Sequence, residues 1–173
     1  DLYCKMLNDA VLREKGGIEE EEDFDTTIDI NINAYLPSSY VRNETVKLDI
    51  YKRIASISSE EEYDDMLDEL IDRFGTLPTP VGNLLHVALL KADAHDAYIS
   101  QIVQKDDQIT LTMYPKAKIQ IDKIDPLLKA NRNLLKFRPG AQPAFIVNTA
   151  RVSKKDLLVC LKDVISQIKH LRY

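Results

Sequence analysis

Apolar residues along this chain recur first at helical, then at strand spacing. Leu2, Met6, Leu7, Ala10 and Val11 stop at Gly16-Gly17 and predict a helix over 2–15. An acidic run follows, Glu19 to Asp23 plus Asp25, interrupted only by Phe24. Adjacent like charges repel, so it reads as a hydrated loop. From Thr27 to Asn33 β-branched and polar residues alternate, the mark of a strand with one buried face, and Pro37 closes it. Val46, Ile50 and Ile54, with Tyr51, predict a helix over Asn43 to Ala55. Ser59-Glu60-Glu61-Glu62 has the form of a capping box opening a helix to about Phe74, stopped by Gly75 and Pro78. Thr79-Pro80 opens the next, with Thr79 as N-cap. Its stripe is Val81, Leu84, Leu85, Ala88, Leu89 and Ala92, widened by Val87 and Leu90, so it belongs at the centre of the helical half.

Beyond that helix the texture changes. Tyr98 to Val103 and Gln108 to Met113 read as a hairpin around Asp106-Asp107. Ile121 to Ala130 predicts a short helix that Pro126 delays or breaks. Leu134 to Phe137 and Ala144 to Val147 form a second strand pair around Pro139-Gly140, and Ser153 caps a final helix. Strands grouped rather than alternating with helices predict an α+β fold. The expected architecture is a helical N-terminal half packed with a small antiparallel sheet in a single compact domain. It is helix-rich over 1–96 and strand-rich over 97–150, with a terminal helix over 153–171.

Charge changes this picture more than composition does. The 173 residues carry a net charge of −5, but residues 1–80 hold 20 acidic against 8 basic side chains and residues 81–173 hold 8 against 15. The balances are −12 and +7, which raises the question of partners. No apolar run approaches the roughly 18 residues a membrane helix needs, and nothing reads as a secretory leader. Cys4 and Cys160 lie far apart and outside any CxxC, so a reducing cytoplasm is the expected setting. The chain starts at Asp1 without an initiator Met, and the expectation is a piece of something longer.

Catalytic patterns are absent from the sequence. Its 5 glycines form neither GxxxxGK[ST] nor GxGxxG, so no phosphate cradle is expected. His86 and His95 are nine residues apart, about 180° around a helix, and cannot share a metal unaided. Cys160 and His170 fail as a nucleophile pair for a similar reason. An enzyme, a metal and a cofactor are therefore not expected in this chain. Lys116, Lys118, Lys123, Lys129, Arg132, Lys136 and Arg138, with Tyr114 and Phe137 near, give the second half a possible nucleic-acid footprint. No helix–turn–helix or RNA-binding signature accompanies them.

The most informative stretch is Glu69-Leu70-Ile71-Asp72-Arg73-Phe74-Gly75-Thr76-Leu77-Pro78. Leu67, Leu70, Ile71 and Phe74 fall on one apolar helix face. Glu69, Asp72 and Arg73 share another, about 160° away and hence outward. Taken alone, that face reads as solvated, with Arg73 favoured near the negative helix end.

With Tyr51-Lys52-Arg53-Ile54-Ala55 upstream, this stretch resembles the C-terminal domain of the bacterial transcription-repair coupling factor (Mfd) family. Asp1-Leu2-Tyr3, Ala10-Val11, Ala34-Tyr35-Leu36-Pro37 and Tyr40 match as well, and the likeness is strong over about residues 1–95. The resemblance implies a non-catalytic regulatory domain within an ATP-dependent DNA translocase that acts in transcription-coupled DNA repair. It implies docking on the N-terminal UvrB-like domain of the same protein, which masks the UvrA-binding surface, an autoinhibition. UvrA, RNA polymerase and DNA are then partners only through the parent protein. The family's interdomain contacts map onto Glu69, Asp72 and Arg73. The alternative is a DNA- or RNA-polymerase-contacting module using the basic second half.

Overall fold

The computed structural model describes residues 24–172. The helix predicted over 2–15, Cys4 and most of the acidic run, 19–23, lie outside the described residues. The described chain resolves into two compact units. One comprises residues 31–92; the other comprises 24–30 together with 93–172.

The first unit is helical. Helix α1 spans Glu44–Ala55, α2 spans Glu60–Phe74, and α3 spans Thr79–Asp96, with the boundary between units falling inside α3 after Ala92. Each start has a local cause. Asn43 caps α1, its side-chain oxygen accepting from the amides of Thr45 and Val46. Ser59 caps α2 by accepting from Glu62 N at 3.2 Å. The Glu62 carboxylate reaches one residue further back than a capping box requires, accepting from Ser58 N at 2.8 Å. Helix α3 starts at Thr79, one residue before the expectation, with the Pro78 carbonyl accepting from Val81 and Gly82. Pro80 sits in the first turn, where its missing amide has no intrahelical partner to lose. Ile50, Ile54, Leu70, Val81, Leu84 and Leu85 are fully buried and make the core.

The strand expected over 27–33 is shorter than its alternation suggested. Strand β1 covers only Thr27–Asp29. Beyond it, in the first unit, backbone groups find helix partners instead of a neighbouring strand. Asn83 Nδ2 donates to the Asn33 carbonyl, Tyr35 N donates to the Pro80 carbonyl, and Leu36 N donates to the Tyr51 hydroxyl.

The second unit is built on a five-stranded sheet. Strands β2 (Ile99–Lys105), β3 (Gln108–Met113), β4 (Leu135–Arg138) and β5 (Ala144–Asn148) join β1 in the order β1-β2-β3-β5-β4. All pairings are antiparallel except β1 with β2, so the sheet is mixed rather than purely antiparallel. The register lines Ile28, Ile102, Leu111, Phe145 and Phe137 across all five strands, one apolar row on one face of the sheet. The β2–β3 hairpin turns through Asp106 at φ 54°, a left-handed conformation that Asp tolerates.

A short 3-10 turn, Ile121–Lys123, leads into α4 (Ile124–Ala130). Pro126 therefore stands in the first turn of α4 and breaks nothing. Ser153 caps a turn rather than the last helix. It pairs with Asp156, and α5 runs over Leu157–Lys169 with Leu157, Leu161, Val164, Ile165 and Ile168 buried.

Two glycines give opposite expectations. Gly75 terminates α2 at φ 92° and Gly82 lies within α3, and a Cβ at either would meet nothing within 4 Å. Gly75→Ala should lose about 1 kcal/mol to backbone strain alone. Gly82→Ala should gain roughly 0.5–1 kcal/mol by removing unfolded-state freedom and improving helix propensity. Denaturant unfolding of the two variants checks this; shifts of the same sign would contradict the assignment of Gly75 as a left-handed cap.

Candidate functional site

The three residues singled out from sequence all lie on α2, but the helix is rotated from the expected setting. Met66 and Leu70 are buried, whereas Ile71 is 44% exposed. The buried stripe is thus displaced toward Met66, because Met66 rather than Ile71 accompanies Leu70 inward. Counted at 100° per residue from this centre, Asp72 points away while Glu69 and Arg73 sit on the flank.

Glu69 is engaged on that flank. Its two carboxylate oxygens meet Arg53 of α1 fork to fork, Nη2 to Oε1 at 2.6 Å and Nη1 to Oε2. Arg73 Nη1 donates to the same Oε2 at 3.2 Å. Charge-assisted, bidentate pairing of this kind is the stronger and more directional class of hydrogen bond. The Arg53 hydrogen bonds, assisted by Arg73, hold the Glu69 carboxyl down to about 2. All three side chains remain partly open, 42% exposed for Arg53, 33% for Glu69 and 43% for Arg73. Exposed pairs contribute only about 0–1 kcal/mol each, so the cluster shapes the surface more than it stabilises the fold.

Arg73 has a second restraint. Its guanidinium carbon lies 4.9 Å from the Phe74 ring centroid, a cation–π arrangement. The Tyr40 ring packs against Phe74 at 5.6 Å, and its hydroxyl lies 2.9 Å from the Gly75 carbonyl and 3.1 Å from the Leu70 carbonyl. The single hydroxyl proton of Tyr40 is shared between these two carbonyls and ties the residue just past the helix end back to the body of α2. Asp72 differs from its neighbours: it is exposed and, among the described residues, makes no hydrogen bond or ion pair.

Sequence reasoning brought Glu69, Asp72 and Arg73 together but missed Arg53 and the role of Tyr40. Arg53 was visible only as part of the Tyr51–Ala55 block, sixteen residues before its carboxylate partner. The other sequence candidates stay apart. His86 faces the Tyr63 ring at 5.5 Å, and His95 stacks on Phe24 at 4.5 Å with Nε2 3.1 Å from the Phe24 carbonyl. Burial, with Asp163 nearby, pushes the Cys160 thiol up, away from a reactive thiolate. Among the described residues, no group of three or more His, Cys, Asp or Glu is placed to hold a metal ion, and no helix is long and apolar enough to cross a membrane. The seven basic residues of the second half are exposed but spread over loop, helix and strand, and only Lys136 and Arg138 share a strand face.

Fold and surface together define a small α+β domain that carries a preformed charged face on its helical unit. The family model described as the TRCF domain matches residues 30–124, more than half of the chain, and the chain belongs to that family. The transcription-repair-coupling factor of Bacillus subtilis (strain 168) is 38% identical over 122 residues, 70% of this chain and 10% of that protein. Its counterpart from Borreliella burgdorferi is 30% identical over 169 residues, 98% of this chain and 15% of that protein. A crystal structure of the C-terminal domain of transcription-repair coupling factor shares the fold with a TM-score of 0.73 at 24% identity, covering 85% of this chain and 95% of that one. The chain spans 10–15% of the length of these curated relatives. Both Tyr51–Ala55 and Glu69–Pro78 fall inside the matched residues.

The lowered Glu69 pKa sets a pH expectation. Its folded value, about 2, lies below its ordinary 4.5, so the ion-pair contribution is present above pH 4.5 and is lost as pH falls toward 2. Given its exposure, that contribution should be no more than about 1 kcal/mol. Glu69→Gln should therefore flatten the acid limb of stability between those limits and change little at pH 2. Equal acid sensitivity of both proteins in urea unfolding would rule the pairing out as its source.

Proposed function

We propose that this chain is a non-catalytic regulatory domain of a transcription-coupled DNA repair translocase, docking within its own protein on the N-terminal UvrB-like module. Docking covers the surface that UvrA would otherwise use and so keeps the resting protein autoinhibited. Translocation on DNA, ATP hydrolysis and contact with RNA polymerase belong to the cytoplasmic parent protein rather than to these residues.

The carrying observation is the face around Glu69, Asp72 and Arg73, where an unpaired carboxylate stands beside a restrained cluster of opposite charges. Such a face gives orientation and partner choice more than affinity. Weakness suits the role, because a tethered partner is present at an effective concentration that can reach millimolar, so a contact of small free energy closes the protein and yet can open. Exposed Ile71, between these charges in sequence, offers the apolar contact that such interfaces place among polar groups.

Charge reversal tests the reading. In the full-length parent protein, Asp72→Lys with Arg73→Glu should raise UvrA affinity by about tenfold or more, equivalent to roughly 1.4 kcal/mol of lost docking. The same changes should leave the circular dichroism spectrum of the domain unaltered. UvrA affinity equal to that of the unaltered protein, with the fold intact, would remove the masking role from this face.

A further inference from the structure

Strand β4 is the outer strand of its sheet and pairs with β5 alone. Along an antiparallel pair, residues alternate between turning their backbone groups toward the partner strand and turning them away. Asn148 N donates to the Leu134 carbonyl at 2.7 Å, which fixes that alternation. The backbone groups of Lys136 and Arg138 therefore meet β5 at Ile146 and Ala144, whereas those of Leu135 and Phe137 point outward. The Leu135 amide is taken by the Asn131 carbonyl at 3.0 Å. The Leu135 carbonyl, the Phe137 amide and the Phe137 carbonyl are left, and none of the three has a partner among the described residues. Pro139, which has no N–H, ends the edge.

Side chains divide this edge into two sides. Phe137 is half-buried on the core side, its ring 4.9 Å from that of Phe145. Lys136 and Arg138 are exposed on the other. Their charges oppose a second copy of β4: an antiparallel pair centred on Phe137 would set Lys136 opposite Arg138, and like charges directly opposite destabilise. The same charges favour a strand that carries acids. Their rows continue across the sheet through Ile146 and Thr110, and through Ala144 and Thr112, with no aromatic ring on which a nucleobase could stack.

We propose that the β4 edge binds an extended acidic segment of a partner protein, which adds to the five-stranded sheet as a further strand. The pattern it recognises is acid–apolar–acid. The central residue lies opposite Phe137 and exchanges two backbone hydrogen bonds with it, and its side chain extends the contact between Phe137 and Phe145. The flanking carboxylates lie opposite Lys136 and Arg138, and the residue two beyond the centre donates to the Leu135 carbonyl. This site belongs to the sheet unit and is independent of the docking reading of α2.

The test uses the whole 173-residue chain and a fluorescein-labelled peptide, Ser-Thr-Glu-Val-Glu-Thr-Ser. Alone, the chain should exchange its Phe137 amide for deuterium faster than the amides of Lys136 and Arg138, and about 1 mM peptide should slow that exchange several-fold. N-methylation of the peptide's valine removes the donor to the Phe137 carbonyl and should weaken binding about tenfold in fluorescence anisotropy. N-methylation of its second glutamate, whose N–H points away, should leave binding unchanged. Lys136→Glu with Arg138→Glu should abolish binding with an unaltered circular dichroism spectrum, and should gain binding of the peptide that carries lysines for glutamates. An unslowed Phe137 amide, or equal weakening by the two N-methyl groups, overturns strand addition. Tighter binding of single-stranded oligodeoxythymidine than of the peptide, lost in the same variant, overturns it in favour of a polyanion surface.

Discussion

One pairing determines the plan of this chain: the parallel ladder between β1 and β2. Parallel strands cannot be joined by a tight turn and need a crossover, here residues 30–98, which contain the whole helical unit. Thr26 strengthens the closure by donating its hydroxyl proton to the Ile99 carbonyl at 2.7 Å across 73 residues. Closing a loop of that length carries an entropic cost that grows only with the logarithm of its length. A short strand therefore suffices, provided Ile28 is buried in the apolar row of the sheet, and it is 1% exposed. The second unit is consequently discontinuous in sequence, and the first is an insertion between two of its strands.

The charged face depends on a different balance. Arg53 and Arg73 sit in the last turns of α1 and α2, where the helix dipoles already favour cations. Glu69 joins the two ends without burying an ion pair, which avoids the large desolvation cost that buried pairs carry. Phe74 lies beneath Arg73 and packs against Tyr40, whose hydroxyl proton, shared by the Leu70 and Gly75 carbonyls, ties the helix end to the segment before α1. The result is a rigid arrangement of exposed charges, suited to recognition and of little weight in stability.

Much of the fold was legible in the sequence where its cause is local. Asn43, Ser59 and Gly75 set helix ends within a residue or two, and the period of Val81 to Ala92 identified a helix buried on nearly every side. The parallel edge was not legible, because nothing near Thr27 specifies a partner 73 positions away. The run to Asn33 misled for a related reason: alternation marks one buried face, and the backbone of 33–36 reached helix groups rather than a strand. Of the face itself, α2 yielded its charges by spacing but not its rotation, which depends on whether Met66 or Ile71 fills the core. Arg53 stayed hidden because side chains on different helices share no sequence period.

The insertion also has a meaning in time. A ribosome adding about 10 residues per second completes β2 some seconds after β1 has emerged, whereas a helical unit folds in milliseconds or less. The helical unit is therefore finished while the sheet still lacks its partner strand. Thr26 to Asp29 then wait, with the helices already folded, until Ile99 arrives. Strands β3, β4 and β5 and helix α5 follow later still, so a delay in synthesis between Ala92 and Ile99 prolongs an unpaired β1 while the helical unit is already complete.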